Sequence, residues 1–135
     1  MIRPLALIVG VVLGLGIAGC GGTGVGTIGP DGTVAIPTSA PGATVCETGG
    51  IVPFTLQGSP TDPDHIWGVG ETMHDRIRLR WPPGFTGRLG ADIEVIDPTG
   101  RVVARSGDVV TDAGGGGGSD EVDICQIGGR IYLGQ

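Results

Sequence analysis

The chain contains no lysine. All eight basic residues are arginine, they face fourteen Asp and Glu, and the formal net charge is −6. A chain this acidic lacks the basic surface that holds a phosphate backbone, which argues against a nucleic-acid partner. It equally lacks the polybasic patch that would hold it to anionic lipid by charge alone. Aromatic residues are scarce: Phe54, Trp67, Trp81, Phe85 and Tyr132 complete the set. The core must therefore come mainly from Val, Ile and Leu. The serines (Ser39, Ser59, Ser106 and Ser119) lie in linker or turn contexts, and no Gly-x-Ser-x-Gly occurs. A hydrolase needs a nucleophile with a base beside it, so no enzyme activity is expected. After Thr44 no ten-residue window shows helical periodicity, which excludes a helix bundle.

The apolar run from Leu5 to Ala18 is about fourteen residues long, too short for the roughly twenty that span a bilayer. It suits the apolar region of an export signal, with Arg3 as the preceding positive charge. Ile17-Ala18-Gly19-Cys20 closes it. The order of charge, apolar run, small residues and cysteine resembles the bacterial lipoprotein signal family. That resemblance implies removal of residues 1–19, a diacylglyceryl group on Cys20 and an acylated new N-terminus. It places the protein on the extracytoplasmic face of the cell membrane, held by its acyl chains. Two or more chains anchor stably where one is marginal. The mature chain would carry seven arginines against fourteen acids, a net charge of −7.

With Cys20 acylated, Cys46 and Cys125 remain. An even pair in a small exported domain reads as a disulfide. Closing a loop of that length contributes around 4 kcal/mol in the chain-entropy picture.

Residues 20–44 are rich in Gly, Pro, Ser and Thr and read as the acylated cysteine plus a disordered tether. Residues 45–135 read as one small β domain. Arg76-Ile77-Arg78-Leu79-Arg80-Trp81 alternates with period two, which turns Ile77, Leu79 and Trp81 inward and three arginines outward. Asp97-Pro98-Thr99-Gly100 between Ile93–Ile96 and Arg101–Arg105 predicts a hairpin. Asp112 to Asp120 reads as a loop around five glycines. The expected fold is all-β: a small Greek-key or oligonucleotide/oligosaccharide-binding-like barrel of about five to seven short strands, behind a signal helix and the tether. The segments Trp81–Phe85, Asp97–Gly100 and Cys125–Gly129 resemble small actinobacterial envelope proteins, a likeness that implies no particular chemistry.

Four motifs bear on function. Gly24-Val25-Gly26-Thr27-Ile28-Gly29 matches a dinucleotide pattern but lacks the flanking strand and helix that the mechanism needs. Gly115–Val122 matches a single calcium nonapeptide, without the stacked neighbour that completes coordination. His65 and His74, with Asp64, are the candidate metal ligands, although a separation of nine fits no common zinc spacing. Arg76, Arg78 and Arg80, with Trp67, Trp81 and Phe85, mark the candidate ligand surface. The alternative for the arginines is cross-strand pairing with acids. The functional expectation is a module that binds an envelope protein or glycan and needs no cofactor. A metal-binding lipoprotein and a purely structural surface protein are the alternatives.

Overall fold

A computed structural model describes residues 28–42, 46, 53–72 and 74–132. Cys20, the signal segment and the start of the tether lie outside the described residues.

Every regular element among the described residues is a strand. They are β1 (Thr33–Val34), β2 (Phe54–Gly58), β3 (Ile66–Gly70), β4 (Arg76–Arg80), β5 (Thr86–Leu89) and β6 (Ile93–Ile96). Then come β7 (Val102–Arg105), β8 (Val109–Val110), β9 (Gly114–Gly117), β10 (Glu121–Ile127) and β11 (Arg130–Ile131). The all-β expectation holds. The described strands form two sheets rather than a closed barrel. One has the order β1-β5-β6-β7; the other runs β11-β10-β4-β3-β2-β8, with β9 also paired to β10.

β4 forms where the alternation places it. Leu79 and the following Trp81 are fully buried, Ile77 packs beside them, and the arginines face outward. The β6–β7 hairpin also forms as read: Gly100 donates to the Asp97 carbonyl at 2.9 Å with φ 87°. The register shifts after Val95, so the hairpin carries a bulge. β10 is the seam of the larger sheet. It runs parallel to β4, with Glu121 opposite Arg78 and Asp123 opposite Arg80, and antiparallel to β9 and β11.

The glycine run is strand, not loop, over Gly114–Gly117. It lies so close to β10 that a Cβ on Gly115 would collide with the Asp123 carbonyl. Only glycine permits that approach.

Part of the expected tether belongs to the β domain. β1 pairs antiparallel with β5, Val34 opposite Gly87. Val34 and Ile36 enter the core. Thr38 then bridges to Trp81, and Ser39 donates its backbone N–H to the Trp81 carbonyl at 2.8 Å. The Ser39 hydroxyl donates to Asp123. Residues 33–39 thus strap one sheet to the other, seated on a glycine that leaves room for two branched side chains.

One continuous core draws on both sheets, including Phe54, Leu56 and Ile66 from one and Ile93, Val95 and Ala104 from the other. Cys46 and Cys125 form a disulfide with Cα atoms 5.5 Å apart, tying the segment before β2 to β10.

Candidate functional site

The arginines of β4 meet acids from two directions. Arg76 donates from both Nη atoms to the two oxygens of Asp62, each at 2.8 Å. Asp62 sits in the β2–β3 turn, where its Oδ1 also accepts the Asp64 backbone N–H at 3.0 Å. Arg80 donates Nε and Nη2 to Asp123 at 2.6 and 2.9 Å. Arg78, between them, has longer ion pairs to Asp64 and Glu121, both 3.5 Å. Register accounts for two of the three: the parallel β4–β10 pairing sets Glu121 opposite Arg78 and Asp123 opposite Arg80, whereas Arg76 takes Asp62 from the β2–β3 turn. The Arg76 bonds hold the Asp62 carboxyl below its ordinary range, and Asp62 raises Arg76 in turn. Asp123 does the same for Arg80. These side chains are largely solvated, so each pair contributes no more than about 1 kcal/mol. The stripe is an ion-paired ladder.

The aromatic half of the expected ligand surface divides. Trp81 is fully buried and Phe85 nearly so, stacked at 6.2 Å between centroids, and Phe85 meets Tyr132 edge-on at 4.7 Å. Both are core, because the alternation that turns the arginines out turns Trp81 in. Trp67 is different. Its neighbours Ile66 and Gly68 are buried, so Trp67 faces out from β3, half-buried. The Arg76 guanidinium lies 4.2 Å from its ring centroid, a cation–π contact locked by Asp62.

The structure does not assemble the histidines. His65 precedes β3 and His74 follows it, so the whole strand separates them, about 17 Å of extended chain. His65 is fully buried in the left-handed region, φ 60°. Its Nδ1 is 2.8 Å from the Ala35 carbonyl oxygen, which makes it a support for the strap. His65 Nε2 and Trp81 Nε1 are buried without a hydrogen-bond partner among the described residues. His74 is exposed, and Asp64 serves the arginine ladder. No group of three His, Cys, Asp or Glu suited to a metal occurs among the described residues. The acids in and next to the calcium-like repeat are taken up likewise: Glu121 and Asp123 face Arg78 and Arg80.

A second charged cluster lies on the smaller sheet. Glu94 of β6 accepts from Arg88 of β5 and from Arg105 of β7, the latter at 3.1 Å. The Arg88 and Arg105 bonds lower its pKa.

A third cluster gathers around Asp97. Asp97, almost fully buried, accepts the Thr99 hydroxyl at 2.6 Å and the N–H groups of Thr99 and Arg101 on Oδ1. Its Oδ2 accepts the Tyr132 hydroxyl at 3.0 Å. Burial pushes this carboxyl up, but the donated hydrogen bonds outweigh it and bring the pKa down to about 2. Burial first, and the bond to Asp97 second, raise Tyr132. An aspartate heading a Pro-Thr-Gly turn is a local signal for side-chain capping; nothing local points to Tyr132.

No protein-family model matches the chain, and neither does any curated protein or solved structure with which it was compared.

Proposed function

We propose that the chain is a lipid-anchored protein of the extracytoplasmic membrane face whose β domain is a binding module for an envelope protein or cell-wall glycan. The ordered signal, Arg3 through Cys20, supports the anchor. Residues 1–19 are removed, Cys20 carries the acyl chains, and residues 21–28 are the spacer, since residues 29–32 form a hydrogen-bonded turn whose Gly32 carbonyl accepts from Leu89. A coil of that length spans roughly 15 Å on average, less than a tether running to residue 44 would, because residues 29–39 are docked. No catalytic role is assigned to any residue.

Trp67 is the observation that carries the binding reading. It is a large aromatic side chain held half-buried on the outward face of a sheet, among Val69 and the ordered Arg76. Tryptophans in such positions dominate many binding surfaces. The metal-binding alternative receives no support from the placement of His65 and His74.

Co-sedimentation of the detergent-solubilised full chain with envelope fragments tests the reading, using fragments with and without protease treatment. The native protein is expected to sediment saturably and Trp67→Ala about tenfold more weakly. Retention after protease treatment identifies a glycan partner, and loss identifies a protein. Sedimentation at background level for both proteins would contradict the reading.

A further inference from the structure

Two turns meet at one end of the domain. Asp97–Gly100 joins β6 to β7, and Gly128-Gly129 joins β10 to β11. The strap enters at the other end of the smaller sheet, where Leu89 donates its N–H to the Gly32 carbonyl. The length of β6, about 13 Å at extended-strand rise, separates this entry from Asp97.

The arginines at this corner differ from the others. Arg76, Arg78, Arg80, Arg88 and Arg105 each form an ion pair. Arg101 and Arg130 form none with the described residues. The Arg101 Nη2 reaches only the Gly128 carbonyl, at 3.5 Å. Arg130 is exposed and follows that same glycine turn, opposite Ile127 in the ladder. The nearby carboxylate, Asp97, is filled by the Thr99, Arg101 and Tyr132 donors described above, which leaves both guanidinium groups their own donors. Ile131, between Arg130 and Tyr132, is 55% exposed. Within an acidic domain this corner therefore holds two cations without an ion-pair partner among the described residues, and an exposed apolar side chain next to Arg130 in sequence.

We propose that Arg101 and Arg130, beside Tyr132, form a subsite for a single oxyanion group, a carboxylate or a phosphate, presented by the envelope ligand. The assignment rests on the reading of the domain as a binding module. Planar guanidinium forks match both groups. The acidic remainder of the surface repels an anion, so the group approaches end-on, at the end of the smaller sheet remote from the strap's entry.

The test is a nuclear magnetic resonance titration of the isotope-labelled full chain in non-ionic detergent. The arginine Nε–Hε signals are followed during addition of inorganic phosphate, galacturonate or neutral galactose. Saturable shifts are expected at Arg101 and Arg130, with ion-paired Arg88 and Arg105 unmoved and no response to galactose. A response to phosphate or to galacturonate names the source of the oxyanion. Arg101→Gln and Arg130→Gln should each weaken binding about threefold to fivefold, in line with exposed ion pairs. Unchanged β10 amide signals show that each variant is folded. No saturable shift, or equal shifts at Arg88 and Arg105, would overturn the subsite. If the native chain still sediments with envelope fragments in that case, the binding-module reading survives without it.

Discussion

The Tyr132 hydroxyl donates to Asp97 Oδ2 at 3.0 Å across thirty-five residues of sequence. This bond joins the end of β11 to the β6–β7 turn, and so one sheet to the other. Tyr132 also donates its backbone N–H to the Cys125 carbonyl at 2.7 Å, beside the disulfide. Tyr132→Phe removes one hydrogen bond to a charged, buried carboxylate while keeping the ring against Phe85. The expected loss is about 1.5–3 kcal/mol in urea unfolding, and a change under 0.5 kcal/mol would show that the bond is not formed.

Asp97 makes the fold acid-sensitive. Its carboxyl has a pKa of about 2 in the fold against the ordinary 3.8. Above both values the folded and unfolded chains carry the same charge there, and the stabilisation is complete. As pH falls from 3.8 toward 2 the unfolded chain takes the proton first, so on the order of 2 kcal/mol is lost. Urea unfolding of the native protein and of Asp97→Asn from pH 7 to pH 2 checks this. The stability gap between them should shrink below pH 4; a constant gap would contradict the assignment.

The strap depends on Gly87. A Cβ there would lie 2.6 Å from Val34 Cγ2 and 3.0 Å from Ile36 Cγ2. Gly87→Ala should cost about 1–3 kcal/mol through overpacking and expose residues 33–39 to protease. Adding Val34→Ala should recover part of that loss, a coupling that independent sites do not show. Strictly additive effects would place Val34 elsewhere.

What the sequence revealed depended on local pattern. Arg76–Trp81 was legible because a period of two fixes which side chains turn in. The β6–β7 hairpin was legible because Asp-Pro-Thr-Gly has few other uses, and the disulfide because removing Cys20 leaves an even count. The strap was not: Val34 and Ile36 are two apolar residues among prolines and glycines, and their burial depends on Gly87, fifty residues away. β9 was hidden because glycine has little strand propensity of its own. The two-sheet topology was hidden because the parallel β4–β10 pairing joins segments about forty residues apart. Of the expected ligand surface, Trp67 faces out, whereas Trp81 and Phe85 were absorbed by the core. The Asp97–Tyr132 and Arg101–Arg130 corner exists only once the two turns meet.

Cys46 and Cys125 should be inaccessible to thiol reagents in a denatured, unreduced Cys20→Ala chain. Reduction should lower stability by about 4 kcal/mol in the chain-entropy picture. Two labelled thiols before reduction would refute the bridge.

The intact mass of the protein extracted from membranes reads the lipid anchor itself. The mature chain is expected to begin at Cys20 and to carry a diacylglyceryl group and an acylated amine. With no lysine in the sequence, that product should contain no primary amine and take up no amine-reactive label. A chain that retains residues 1–19, begins elsewhere, or carries an unmodified Cys20 would contradict it.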